Sequence, residues 1–148
     1  MTLPMKAKKD DWETPDPIVR LIEKELGIEF TLDAAANAQN TKCTRFNSEA
    51  EPDKHSWKDE IVWCNCPYSH KSMFIAKAAQ RGAKIAVLLL PASPDTKWFR
   101  FCFENADMVF FKEGRISFSG KNQNTTGSVF FVFEKIKRGV KLIQYLGK

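Results

Sequence analysis

The apolar run Ile61-Val62-Trp63-Cys64 stops abruptly at Asn65-Cys66-Pro67-Tyr68-Ser69. An amide, a thiol, a rigid ring and a phenol at a strand end are residue types suited to gripping a planar nitrogen group. Asn65 offers a side-chain carbonyl. The backbone carbonyl of Cys66 offers a second acceptor, limited in direction because Pro67 restricts residue 66 to extended geometry. Two acceptors held close together match the two hydrogens of an exocyclic amino group. Tyr68 adds a flat face on which a flat base can stack, worth about 1–3 kcal/mol in single-strand systems. The same residues also make an ordinary polar turn in which Asn65 satisfies its own backbone and Tyr68 packs. Spacing alone leaves both readings open.

Metal chemistry is not expected. The cysteines stand at 43, 64, 66 and 102. Cys64 and Cys66 form the one close pair, their spacing is not that of a zinc finger, and adding His55 and His70 completes no ligand set. The thiols are expected to be buried or idle in a reducing compartment.

The elements that must position these groups alternate. A helix is expected over TPDPIVRLIEKELG, with Asp16 as cap, Pro17 in the first turn and Gly27 past the end. Ile18, Leu21, Ile22 and Leu26 form its apolar face. A short strand, Ile28 to Leu32, then ends in Asp33 and small residues. From Asn37 to Lys58 the chain is polar and aperiodic, and reads as a loop with room for one short helix. After IVWC, Ser69 can cap a helix running through Met73, Phe74 and Ala78 to Gly82. AKIAVLLLPAS is continuously apolar, the mark of a strand covered on both faces. Ser93-Pro94 opens the next helix, DTKWFRFCFEN. ADMVFF, GRISFSG, GSVFFVFE and KLIQYL have strand texture, with a polar loop from Gly120 to Gly127. This order predicts a three-layer α/β sheet. Ligands on such sheets bind beyond the carboxyl ends of the strands. There the order places Asp33 with its alanines, NCPYS and Pro91-Ala92-Ser93.

A chain of 148 residues fits one domain, and 43% hydrophobic content with 12 Phe and 4 Trp belongs to a folded protein. The expected organisation is a basic tail over residues 1–10 and one domain over 11–148, without a separate target-recognition domain. The net charge of +5 permits a polyanionic partner without requiring one. Neither a signal peptide nor a membrane-spanning run is visible, so a soluble protein inside the cell is expected.

NCPYS resembles the [DNS]-P-P-[YFW] motif of amino-group methyltransferases, with Cys66 where a proline is usual. The likeness extends through Trp12-Glu13-Thr14-Pro15, FTLDAAA followed by Asn40 and Cys43, Trp57 with VWCNCPYS, LLLPASPDTKWF, and GRISFSG followed by GSVFFVF. That ordered set covers roughly residues 11 to 134. It is similar to the small phage-type DNA N6-adenine methyltransferases, the Dam-like family.

The resemblance implies a reduced Rossmann-like class I fold that binds S-adenosylmethionine. It also implies direct methyl transfer to adenine N6 in DNA, on a flipped-out base, in the cytoplasm of a bacterial host of a phage or prophage. DNA is the implied partner, and a homodimer is one way to supply recognition. The implied catalytic residues are Asn65, Cys66 (through its carbonyl), Pro67 and Tyr68. Trp12, Thr14, Pro15, Asp33, Ala34, Ala35, Asp53 and Asn65 are implied cofactor contacts. Thr14 and Pro15 would lie by the methionine end, Asp33 near the ammonium group, and Asp53 at the cofactor's adenine. Tyr68, Ser69, Lys71, Arg115, Ser117 and Phe118 are implied around the target base. Lys42, Arg45, Lys71, Lys97, Arg100 and Lys121 are candidates for phosphate contacts.

Three other readings compete. Cytosine C5 methyltransferases carry a nucleophilic thiol in Pro-Cys order, whereas this chain has Cys-Pro. The same two acceptors would serve an RNA base or a protein glutamine. A non-catalytic nucleic-acid-binding module derived from the fold is the third.

Overall fold

The computed structural model describes residues 13–48, 52–118 and 126–146. The tail over residues 1–10, Trp12, Lys121 and most of the Gly120 to Gly127 loop lie outside the described residues. Helix α1 spans Asp16–Leu26, α2 Lys71–Ala79 and α3 Lys97–Asn105. The strands are β1 Leu32–Asp33, β2 Arg45–Phe46, β3 Ile61–Asn65, β4 Ile85–Pro91, β5 Met108–Lys112, β6 Ser128–Glu134 and β7 Leu142–Leu146. They form one sheet in the order β2-β1-β3-β4-β6-β5-β7.

The sheet is parallel from β2 through β4, β6 runs antiparallel between β4 and β5, and β7 lies parallel to β5. The unbroken hydrophobicity of β4 follows from its central place. Ala86, Leu88 and Leu90 pack on the α2 and α3 side with Phe74, Ile75, Phe99 and Cys102. Val87 and Leu89 pack on the other side with Val19 and Ile22 of α1. Strand β6 divides the same way, Phe131 and Phe133 to one face and Phe130 and Val132 to the other. Each fully buried aliphatic side chain contributes about 1.5–3 kcal/mol. A sheet with helices on both faces is therefore what the two-sided strands require.

Several local expectations are corrected. The cap of α1 is Pro15, not Asp16; Asp16 begins the helix and turns its carboxylate to Lys42. Gly27 ends the helix at φ +66°, the left-handed conformation a glycine adopts without strain. Ser69 does not cap α2. It sits in a 3₁₀ turn, Tyr68–His70, with its hydroxyl 3.1 Å from His70 Nδ1. Helix α3 begins at Lys97, capped by Thr96 Oγ1, which accepts from Phe99 N–H, and not at Ser93-Pro94.

Strand β1 is shorter than the Ile28 to Leu32 expectation and includes Asp33, while β2 lies inside the stretch read as loop. Residues 115–118 make no ladder. Ile116 and Phe118 instead pack into the core on the α1 face, which satisfies their alternation without strand pairing. Among the described residues no helix is long and apolar enough to cross a membrane.

Candidate active site

From β1 the chain moves outward to β2, then returns to β3 on the other side of β1 and continues outward to β4. The order reverses between β1 and β3, and the crevice at such a reversal, beyond the carboxyl ends, is where open α/β sheets hold ligands. Asp33 ends β1 and Asn65 ends β3, with Asp33 in register with Trp63 and Asn65 with Leu89. The predicted convergence of Asp33, NCPYS and the end of β4 on one edge of the sheet is thus realised in the strand order.

Past Asn65 the chain turns through Pro67, whose carbonyl accepts from His70 N–H at 3.0 Å. Asn65, Cys66 and Tyr68 line one cleft together with Leu89, Leu90 and Pro91 of β4, Phe118, and Thr126, Gly127 and Ser128 at the start of β6. Its volume is about 430 Å³ including the open mouth. The walls are apolar, and the polar groups come from Asn65, the residue-66 turn and the 126–128 segment.

Sequence reasoning did not single out Leu89, Leu90, Thr126, Gly127 or Ser128. The available signal was the pairing of β4 with β6, which sets Pro91 beside Ser128. Arg115 borders the same wall, because a Cβ placed on Gly127 would lie 3.5 Å from Arg115 Nη1. Ser69, Lys71 and Ser117 do not line the cleft, nor does Pro67, which shapes its turn.

Cys64 and Cys66 lie two positions apart, the spacing that puts side chains on one face of an extended chain. The two sulfurs are 3.4 Å apart and both thiols are in the core below α2 and α3. Burial pushes the Cys64 thiol well above its ordinary value, reinforced by hydrogen bonding with Cys66. Cys66 lines the cleft as well, and the acceptor expected of it is its backbone carbonyl, which does not depend on the side chain. Among the described residues no group of three or more His, Cys, Asp or Glu side chains could hold a metal ion.

Lys71 holds the rim of the cleft. Its ammonium lies 4.1 Å from the Tyr68 ring centroid and 5.8 Å from that of Trp98, a cation–π arrangement that restrains the half-exposed Tyr68.

The second polar group of the crevice surrounds Asp33, which is 3% exposed. Its Oδ1 accepts from Ala35 N–H at 3.3 Å and its Oδ2 from Lys42 N–H at 2.9 Å. Burial raises its pKa, opposed by those two backbone donors and by the charge of Lys42. Each carboxylate oxygen keeps a lone pair for a further donor. Ala34 is buried and Ala35 half-buried against the core, so the loop backbone comes close to the sheet edge.

Thr14, only 1% exposed, has a buried hydroxyl with no hydrogen-bond partner among the described residues. A buried unpaired hydroxyl is rare enough in folded proteins to require an explanation, and a bound ligand is one. Asp53 falls elsewhere, in a shallow groove along α2 with Ser72, Met73, Ala76, Lys77 and Gln80.

The expected phosphate contacts divide. The Lys42 side chain is buried and paired with Glu13 and Asp16, which removes it from the DNA-facing set. Arg45 pairs with Glu60, and Arg100 with Glu104 at 3.1 Å. Lys97 is exposed at the first position of α3.

Comparison with known proteins adds to this geometry. The sequence profile of the family described as DNA N-6-adenine-methyltransferase (Dam) matches residues 2–148. A protein of Escherichia phage T1, named DNA N-6-adenine-methyltransferase, is 31% identical over 158 aligned positions, which cover 90% of this chain and 66% of the relative. The chain therefore spans just under two thirds of that relative's length. No solved structure matches.

Proposed function

The chain belongs to the DNA N-6-adenine-methyltransferase (Dam) family, and from that premise we propose that it methylates the N6 amino group of adenine in DNA, with S-adenosylmethionine as methyl donor, on a class I methyltransferase fold. The observation that carries the reading is the cleft at the end of β3, where Asn65 and Cys66 share one wall with the ring of Tyr68. Strand order supports the fold assignment, with a parallel sheet reversing at β1 and β3 and one antiparallel strand inserted beyond β4.

The residues present fit the donor. A buried Thr14 hydroxyl without a partner among the described residues and a buried carboxylate at Asp33 suit the polar, cationic end of an amino acid. Those two, with Pro15, Ala34 and Ala35, would hold it; Trp12 and Asp53 are proposed contacts from the resemblance alone, Asp53 lying in the separate groove along α2. When bound, S-adenosylmethionine supplies a methyl group made electrophilic by its sulfonium.

The chemistry required of the chain is to make a poor nucleophile attack. The lone pair of adenine N6 is delocalised into the ring. Asn65 Oδ1 and the Cys66 carbonyl would each accept one N6 hydrogen, returning electron density to nitrogen and favouring its tetrahedral form. Nitrogen would take the methyl carbon as that carbon's bond to the donor's sulfur breaks, leaving a neutral thioether; it would become cationic and shed one proton to water. The same two carbonyl dipoles stabilise that charge, a preorganised electrostatic effect. Inside a duplex the amino group is out of reach, so the base leaves the stack and lies against Tyr68. Phe118 and the β4 residues close the apolar side of the cleft; Lys71 beside Tyr68 and Arg115 beside Gly127 would meet the substrate at its rim, and Ser69 and Ser117 are proposed there from the resemblance alone.

The test is transfer of labelled methyl from S-adenosylmethionine to unmethylated DNA, RNA and protein, followed by nucleoside and amino-acid analysis. N6-methyladenine in DNA is the expected product. Label in 5-methylcytosine, in RNA alone or in glutamine would overturn the substrate assignment, and cofactor binding without turnover would favour a binding module.

A further inference from the structure

We propose that Lys42 is a positioning residue for the methyl donor: a buried cation that clamps the segment before α1 onto the loop after β1, so that Thr14 and Asp33 are presented together. The inference rests on the donor reading above and assigns a role to a residue outside that contact set. The Lys42 side chain is 4% exposed, and its ammonium lies 2.8 Å from Asp16 Oδ1 and 3.1 Å from Glu13 Oε2. Its backbone N–H donates to Asp33 Oδ2 at 2.9 Å, and its carbonyl accepts from Arg20 Nη2 at 3.1 Å. One residue thus touches both walls of the crevice.

The exposures are unequal in an informative way. Glu13 and Asp16 are 48% and 72% exposed while the lysine between them is buried. A surface lysine reaching for phosphate would extend into solvent. Here two acids are drawn in to a cation that cannot be left unpaired in the interior. The residues between those acids are Thr14 and Pro15, so the ion pairs fix the backbone on either side of the Thr14 hydroxyl, which has no partner among the described residues. The Pro15 carbonyl in turn accepts from Ile18 and Val19 N–H, tying the clamped segment to α1. Asp33 receives its share through the Lys42 N–H, which holds one carboxylate oxygen in place. Positioning of this kind governs affinity because a binding group must be held by its own supporting contacts.

Isothermal titration of S-adenosylmethionine into the whole chain tests the clamp, comparing wild type, Lys42→Met and the double variant Glu13→Gln/Asp16→Asn, each with a thermal melt. Both variants are expected to bind roughly tenfold more weakly or worse, the scale seen when groups that orient a ligand-binding residue are removed. At saturating donor, kcat should return to within about threefold of wild type, since the loss is in ground-state binding. Binding of a mixed-sequence DNA duplex should keep its salt dependence.

Wild-type donor affinity in folded Lys42→Met overturns the proposal. So does a salt slope reduced by about 0.9, which would make Lys42 a phosphate contact. If Lys42→Met does not melt cooperatively, the double variant, altered only at exposed carboxylates, decides by the same affinity criterion. Absence of donor binding by wild type overturns the donor reading itself, and the clamp with it.

Discussion

The sulfur atoms of Cys64 and Cys66 lie 3.4 Å apart in the core, although the residues flank Asn65 at a strand end. Cys66 also lines the cleft that Asn65 lines, and the acceptor proposed there is its backbone carbonyl. Cys66→Ala is therefore expected to cost about 1 kcal/mol of stability through lost packing. It should keep methyl transfer within a few-fold, because the carbonyl of residue 66 remains. Thermal melts and a methyl-transfer assay measure both. Complete loss of transfer by a folded, donor-binding variant would implicate the thiol.

Asn65 is the opposite case. Asn65→Ala removes one of the two acceptors proposed for the amino group, and loss of one preorganised electrostatic partner costs about 10²–10³ in kcat. Single-turnover rates at saturating DNA and donor isolate that step. An undiminished rate would reject the assignment.

Tyr68 and Lys71 act at the rim. Tyr68→Ala is expected to weaken substrate binding by about 1–3 kcal/mol, the worth of one base stacked on an aromatic ring. Lys71→Met releases the ring without deleting it, and an exposed cation–π contact is worth about 0.5–1 kcal/mol. KM for DNA should thus rise more in the first variant than in the second.

Donor affinity should depend on pH through Asp33. Burial raises the Asp33 pKa above its ordinary 3.8. Its share of stability is thus fully present below the unfolded value and lost as pH rises through the folded one. An ammonium ligand needs the ionised carboxylate, so binding strengthens with rising pH through that same raised value and releases a proton. Titrations across the acid range, in buffers of different ionisation enthalpy, should show proton release in wild type and its loss in Asp33→Asn.

Stability has a separate anchor at the other end of β4. Asp107 accepts from Arg81 Nη1 at 2.6 Å and from the N–H groups of Glu134 and Arg138, while Arg81 also donates to the Glu134 and Asn105 carbonyls. Burial alone would raise the Asp107 pKa, but these donors hold it below the ordinary value. Its contribution is therefore present above the unfolded pKa and is lost as pH falls through the folded one. Arg81→Ala leaves a buried carboxylate without its main partner and is expected to cost about 3–5 kcal/mol. Denaturant titration checks this, and kcat per folded molecule should not change.

The sequence by itself determined most of the frame and the centre of the site. Continuous apolarity marked β4 because that strand is buried on both faces, and α1 was legible from Pro17 and Gly27. Asn65, Cys66 and Tyr68 stood out because amide, carbonyl and ring follow an apolar strand within four positions. Only the tertiary structure decided matters that depend on distant partners. Strand β2 is two exposed residues whose order comes from pairing with β1, so no local pattern announced it. Ile116 and Phe118 alternate like a strand but fill the core under α1, since alternation reports burial and not hydrogen bonding. Cys66 turns inward beside Cys64 because a two-residue step in an extended chain returns to the same face, and the tertiary structure decided that this face is the α2 and α3 side of the core. Lys42, a plain surface charge by sequence, became a buried clamp because Glu13, Asp16 and Asp33 converge on it from two separate segments.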